Sequence, residues 1–268
     1  MTDGFDNPRL ASLFGLEGKV AIVTGGSGLL GQHHRRILEM AGASVVSVDI
    51  CEDDHHGSIV ADITDPIAVK RLTDEIIEQY GAIDILINNA ANNPKAEDTT
   101  TASWSRLETF DLQLWNQDLA VGLTGALLMC QAAGSHMAAR RQGVILNVCS
   151  DLAVIAPDQR LYRKKDLEDL DQPVKPVSYS VVKHGLLGLT KYLATYWADC
   201  NVRVNAISPG GIANGQDSEF VARLSSRIPL ARMANADEYE GAVLFLCSNS
   251  SSYMNGHNLV IDGGRTVW

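Results

Sequence analysis

A chain of 268 residues, 46% of them hydrophobic, is long enough to bury one sizeable core, and α/β folds of this size commonly form a single domain. Lys and Arg number 22 against 32 Asp and Glu, and the net charge of −10 disfavours nonspecific attraction to nucleic acid or to an anionic membrane surface. Met1 to Pro8 carry no basic start followed by an apolar run, so no secretory signal is read and the cytoplasm is the expected compartment.

Short β-branched runs alternate with stretches of helical period. Residues 19–24 read as a strand and 29–41 as a helix, followed by strands at 44–49 and 58–62, a helix at 66–80 and a strand at 83–88. A helix at 115–139, a strand at 143–150, a helix at 178–199, a strand at 202–208, a helix at 237–247 and a strand at 259–261 complete the series. The strands are continuous apolar runs, which suits burial on both faces. Their alternation with helices predicts a seven-stranded parallel sheet, doubly wound, in one domain over 1–268.

The longest apolar stretch, between Asp118 and His136, contains Gln131 and three glycines; it falls short of the ~20 residues that span a bilayer and is expected as a buried helix. Two segments break the rhythm. Residues 157–176 are polar and charged and read as an inserted surface loop; residues 210–233 read as a flap over a site. Cys51, Cys130, Cys149, Cys200 and Cys247 form no C-x-x-C pair and are expected as reduced, structural thiols. His33-His34 and His55-His56 are adjacent pairs, which diverge on a helix or strand, so no metal site is expected.

Thr24-Gly-Gly-Ser-Gly-Leu-Leu-Gly31 lies between a strand and a helix, where glycines permit a tight turn and bring backbone amides to a pyrophosphate at the helix N-terminus. Asp49 ends the second strand at close to the ~20-residue interval expected of a carboxylate that accepts hydrogen bonds from an adenosine ribose. It would repel the extra phosphate of NADP, and Ile50 offers no compensating cation, so NAD is the expected cofactor. A solvated acid among Glu52, Asp53 and Asp54 is the alternative. Asp62-Ile63 and Asn88-Asn89-Ala90-Ala91 end the next two strands, where open α/β sheets bind ligands, although either could be an ordinary turn.

Tyr179 and Lys183 stand at i and i+4 within a helical run. That spacing sets an ammonium beside a phenol and should draw the phenol pKa down from about 10 toward working pH. Such pairs also arise by chance on amphipathic helices; here the glycine turn and Ser150, at the end of an apolar run, give the pair company.

Taken in order, Gly18-Lys-Val-Ala-Ile-Val-Thr-Gly25, Asn88-Asn-Ala-Ala91, Ser150, Tyr179-x-x-x-Lys183, Asn205-Ala-Ile-Ser-Pro-Gly210 and Asn255-Gly-His-Asn-Leu-Val-Ile-Asp-Gly-Gly264 resemble the short-chain dehydrogenase/reductase family, in its single-domain branch. The resemblance implies a Rossmann-like fold in which Tyr179 is the general acid/base, Lys183 its partner and ribose anchor, and Ser150 the holder of the substrate oxygen. It also implies a dinucleotide contacted by Gly25, Ser27, Gly28, Leu30, Gly31, Asp49, Ile50, Asp62, Ile63, Asn89, Ala90, Ala91, Tyr179 and Lys183, with Pro209, Gly210 and Ile212 beside the nicotinamide. Family members usually form homotetramers, or homodimers, through the helices at 115–139 and 178–199, and the face Leu186, Leu187, Leu189 and Leu193 fits that use.

Three features depart from the family pattern. The glycines at 25, 28 and 31 are evenly spaced, as in the extended branch of nucleotide-sugar enzymes. Gly122 stands where the family commonly has a catalytic asparagine; that residue is thought to act largely through its main-chain carbonyl, which a glycine keeps. The spacing from Ser150 to Tyr179 is stretched by the 157–176 insert, whose Arg160, Arg163, Lys164 and Lys165 either meet an anionic substrate or are offset by the loop's own acids. The insert phrase Ala156-Pro-Asp-Gln-Arg160 is similar to members associated with bacterial surface-sugar and nonulosonic-acid pathways, which suggests a small, sugar-like substrate.

The expected function is an NAD-dependent oxidoreductase of this type. The rivals are a nucleotide-sugar epimerase or dehydratase with transient NAD reduction, and a non-catalytic NAD-sensing scaffold.

Overall fold

Along Val20–Thr24 (β1) the side chains alternate between two cores: Val20 and Ile22 join one buried cluster, Ala21 and Val23 the other. A strand with both faces covered favours apolar residues along its length, and this one is buried throughout, with Thr24 its one polar side chain. The inner strands follow this pattern and the two edge strands are only partly buried, in a computed structural model that describes residues 7–92 and 102–268.

Six more strands join β1: Ser44–Asp49 (β2), Ser58–Val60 (β3), Ile85–Asn88 (β4), Gly143–Val148 (β5), Val202–Pro209 (β6) and Asn258–Ile261 (β7). Every pairing is parallel, in the order β3-β2-β1-β4-β5-β6-β7. The chain therefore runs outward from β1 to β3 and then back across to β4 and onward, which opens a crevice beyond the carboxyl ends of β1 and β4.

Helices cover both faces. The first, Pro8–Phe14 (α1), was not foreseen; Asn7 caps it, accepting Arg9 N–H at 2.9 Å, and Pro8 starts it. Leu29–Met40 (α2) and Glu240–Cys247 (α7) send Leu38, Val243 and Leu246 into the cluster with Ala21. Pro66–Tyr80 (α3), Leu112–Arg140 (α4) and Val177–Tyr196 (α5) send Leu72, Ile76, Met129, Met137 and Leu193 into the cluster with Val20. Each such side chain gains about 1.5–3 kcal/mol by leaving water. The helix α3 shows why boundaries fall where they do: Asp65 accepts Ile67 N–H at 2.8 Å, Pro66 opens the first turn, and Gly81 closes the last with φ of 81°.

The helix α4 is longer than the apolar stretch suggested and, at 29 residues, is long and apolar enough by composition to cross a membrane. Instead Met129, Cys130, Ala133 and Met137 lie fully buried in the core. Two π-helical stretches, Ala120–Gly125 and Cys130–Gly134, interrupt it. All five cysteines are free thiols, with Cys130, Cys149 and Cys247 buried.

Both irregular segments hold short elements. The flap contains Ser218–Ser225 (α6), whose Asp217 cap accepts Glu219 N–H at 3.0 Å and Phe220 N–H at 3.1 Å. The insert makes two single turns of 3₁₀ helix, Gln159–Tyr162 and Asp169–Asp171, and buries Leu161. Leu186 and Leu193, assigned from sequence to an intersubunit face, are buried within the subunit.

Candidate active site

The glycine turn takes its shape from crowding. A Cβ on Gly31 would lie 2.1 Å from Gly25 O, and one on Gly25, whose φ is 62°, would lie 2.8 Å from Ala90 Cα. Asn89 ties the turn to the end of β4, its side-chain amide donating to Thr24 O at 3.0 Å and Gly25 O at 2.9 Å. At Gly28 the helix α2 begins with no side chain capping it, so its first amide groups are left for a ligand.

A cavity of about 620 Å³ runs from this turn across the carboxyl ends of the strands. Its walls include Gly25, Gly28, Leu30, Asp49, Ile50, Asp62, Ile63, Asn89, Ala90 and Ala91 at one end, and Ser150, Tyr179, Lys183, Pro209, Gly210 and Ile212 at the other. Two residues expected to touch the cofactor are not on its walls. Gly31 lies buried beneath the turn as a packing glycine, and the Ser27 hydroxyl turns away to donate to Asp53 at 2.9 Å. Asp49, on the cavity wall, accepts Ser27 N–H at 3.1 Å and Ile50 N–H at 2.8 Å, and each oxygen keeps a further lone pair. An uncapped helix start, glycine backbone and a carboxylate at a strand end suit a nicotinamide dinucleotide.

At the other end, Ser150 follows β5, and Tyr179 and Lys183 lie on α5. The Ser150 oxygen accepts Leu152 N–H at 3.2 Å, and its hydroxyl donates to Asp151 Oδ1 at 2.9 Å. Lys183 is buried, and its ammonium donates to Val148 O at 2.8 Å.

The expected lowering of the tyrosine pKa does not hold in this structure. Burial pushes the Tyr179 phenol up to about 12. The lysine is committed to the Val148 carbonyl, with Nζ 5.8 Å from the phenol ring centroid, and burial lowers its own pKa. A phenol so placed is protonated at neutral pH and ready to give a proton to a carbonyl oxygen.

Three charged residues of this end were missed from sequence. Lys175, in the insert, sets its ammonium 3.7 Å from the Tyr179 ring centroid, and burial lowers its pKa to about 8. Asp151 and Arg265 form an ion pair at 2.6 Å. All three line the cavity. Position was the available signal: Lys175 precedes Tyr179 by one helical turn, Asp151 adjoins Ser150, and Arg265 follows the Asp262-Gly-Gly264 turn.

The basic cluster of the insert does not reach the site. Arg160 pairs with Asp158 at 2.8 Å, Arg163 with Asp169 and Lys165 with Glu219 at 2.5 Å, and neither these residues nor Lys164 line the cavity. The loop's own acids, and one from α6, pair with Arg160, Arg163 and Lys165. The insert instead packs on the flap: Leu161 joins Leu224, Ile228 and Met233 in a small apolar cluster, and Arg223 Nε donates to Leu161 O at 3.0 Å.

Gly122 is buried in the first π-helical stretch of α4, where a Cβ would lie 2.5 Å from Val182 Cγ1. An asparagine fits there only if Val182 moves.

His55 and His56 do not diverge as expected: their ring centroids are 4.5 Å apart and their donor atoms, with Glu39, fall within 4.8 Å of one another. Both His55 nitrogens are engaged, Nδ1 by Gly57 N–H at 3.2 Å and Nε2 by Glu39 at 2.5 Å.

Residues 19–162 match the family model described as short chain dehydrogenase, and residues 172–266 match one described as Enoyl-(Acyl carrier protein) reductase. The chain is 32% identical to D-threitol dehydrogenase of Mycolicibacterium smegmatis over 95% of each chain. It is also similar to the crystal structure of a gluconate 5-dehydrogenase from Burkholderia cenocepacia in complex with NADP and tartrate, with a TM-score of 0.82, 29% identity, and coverage of 97% of this chain and 99% of that one. A short chain dehydrogenase from Leptospira borgpetersenii with bound NAD+ superposes with a TM-score of 0.80, at 31% identity over 98% of this chain and 96% of that one.

Proposed function

The chain belongs to the short-chain dehydrogenase family, and from that premise we propose that Ser150, Tyr179 and Lys183 carry its reaction. It is an oxidoreductase that moves hydride between a nicotinamide cofactor and a CH–OH or carbonyl carbon of a small molecule. One observation carries the residue assignment: these three side chains stand at one end of a cavity whose other end is the glycine turn and Asp49.

In this reading the Ser150 hydroxyl holds the substrate oxygen, and the Tyr179 phenol oxygen gives that oxygen a proton in reduction or takes it in oxidation. Lys183, fixed by Val148 O, stands near the phenol, its Nζ 5.8 Å from the ring centroid, and would anchor the cofactor ribose. When bound, the dinucleotide supplies the hydride donor or acceptor. The residues that would hold it are the glycine turn, Asp49, Asp62, Asn89 to Ala91, and Pro209 to Ile212.

The cofactor is NAD, because the Asp49 carboxylate repels a further phosphate at the adenosine end and Ile50 places no cation beside it. The substrate is a polyhydroxylated, sugar-like alcohol or its ketone, a reading supported by the threitol and gluconate dehydrogenases among the relatives. The subunits pair as a homodimer or homotetramer through α4 and α5, where Leu127, Val181, Tyr192 and Tyr196 remain exposed.

The test is a panel of polyols, sugars and sugar acids assayed with NAD and with NADP for growth of reduced-nicotinamide absorbance. Net accumulation of NADH with a polyol is expected; it would exclude an internal-return epimerase and a non-catalytic sensor together. Turnover with NADP alone would defeat the role given to Asp49.

A further inference from the structure

The reaction end of the cavity holds a buried ion pair that the acid–base scheme leaves unused. Asp151 Oδ2 lies 2.6 Å from Arg265 Nη1, and the two side chains keep only 4% and 8% of their surface exposed. The other carboxylate oxygen, Oδ1, accepts the Ser150 hydroxyl.

A serine hydroxyl has one proton and two lone pairs. In this structure the proton goes to Asp151 and one lone pair to Leu152 N–H. What remains can accept a hydrogen bond from an alcohol or from the Tyr179 hydroxyl. To donate to a developing oxyanion, Ser150 must turn its proton away from Asp151. How strongly the acid retains that proton depends on how much of its charge is neutralised, and the neutralising group is Arg265.

Arg265 is delivered by a turn built for the purpose. Gly263 and Gly264 have φ of 67° and 90°. Asp262 accepts Gly264 N–H at 2.9 Å and Thr266 N–H at 2.7 Å. The guanidinium is thereby brought back from the end of β7 onto the residue after Ser150.

We infer that Arg265 is a positioning residue for Ser150: by holding Asp151 it sets whether the serine hydroxyl donates to that acid or to the substrate oxygen. The inference rests on the dehydrogenase reading and on Ser150 holding the reacting oxygen. Among the described residues, the other ionisable groups facing Asp151 are Tyr162 and Lys175 from the insert, Tyr179 from α5, and Tyr239 from the turn before α7. Burial keeps the three phenols protonated, so Lys175 is the one cation among them besides Arg265. Without Arg265 the Asp151 carboxylate loses its principal stabiliser in a buried place and holds the Ser150 proton more tightly.

The test is the pH dependence of ketone reduction by NADH, with erythrulose as a neutral probe and a keto-gluconate as an anionic one. Arg265→Met should lower kcat at neutral pH by roughly tenfold to a hundredfold, the cost of a weakened oxyanion donor, with KM little changed for either probe. The deficit should shrink as pH falls. Adding Asp151→Asn to Arg265→Met should level the profile and recover rate, and Arg265→Lys should lie between. If Arg265→Met does not fold, Arg265→Lys carries the same comparison at smaller amplitude.

A rise in KM confined to the keto-gluconate, with kcat independent of pH, would make Arg265 a substrate contact and overturn the inference. So would an equal loss at every pH that Asp151→Asn does not relieve in a variant of unchanged melting temperature. If the wild type reduces neither probe, the substrate class proposed above fails. The inference is then read from the Tyr179 phenol in NAD-free protein, by ultraviolet difference against Tyr179→Phe. Its ionisation should move up in Arg265→Met and return in the double variant, and an unmoved titration would overturn the inference.

Discussion

The two ends of the cavity are built on different principles. The dinucleotide end is mostly backbone and small side chains, and its tolerances are steric: Gly25 and Gly31 leave no room for a methyl group. The reaction end crowds Asp151, Lys175, Tyr179, Lys183 and Arg265 around Ser150, and its tolerances are electrostatic. Damage to the first should appear as lost binding and stability. Damage to the second should appear as lost turnover and altered pH dependence in a protein that still folds.

Tyr179→Phe is the strongest attempt to break that contrast. It should keep the fold and the affinity for NAD while kcat falls about 10²–10⁴-fold, the range for loss of a positioned acid–base group. Isothermal titration with NAD beside steady-state kinetics checks both halves, and an undiminished kcat would remove Tyr179 from the chemistry. The wild-type pH profile sharpens the same point. Because burial holds the phenol protonated up to about 12, alcohol oxidation, which needs the ionised form, should climb about tenfold per pH unit above neutrality until the phenol of the working complex titrates. Ketone reduction, which needs the protonated form, should stay level over the same range.

At the steric end, Gly31→Ala forces a methyl group against Gly25 O and should cost about 1–3 kcal/mol in urea unfolding, together with NAD affinity. Gly122→Asn belongs to neither end and should show the smallest effect on turnover. Its cost, about 1–3 kcal/mol of overpacking, comes from the clash with Val182, and Val182→Ala should recover most of it. Failure of that recovery would mean that the π-helical stretch itself, and not the crowding, demands glycine.

The sheet was legible because burial on both faces favours apolar residues at most strand positions: all seven strands were read as apolar runs, with ends moved by a few residues. Tyr179, Lys183, Ser150 and Asp49 were legible because spacing and strand ends place them. Arg265 was not, since nothing local says that a residue beyond β7 folds back to the end of β5. Long-range pairing of this kind leaves no periodic trace. The basic run of the insert misled because charges close in sequence can satisfy one another, as Arg160 and Asp158 do. The tyrosine pKa misled because spacing reports proximity to a lysine but not how deeply the phenol is buried, nor that the ammonium prefers Val148 O. The helix α6 was missed because its short run follows Gly210, Gly211 and Gly215, which read as loop.

Leu161 of the insert sits in the cluster formed by Leu224, Ile228 and Met233 of the flap, and Arg227 and Asp158 bridge the same two segments at 3.5 Å. The roof over the reaction end is thus a single cassette woven from separate stretches of chain. Transplanting one stretch alone into another scaffold would strand its apolar half in water, so recombination that retargets specificity must carry the pair together.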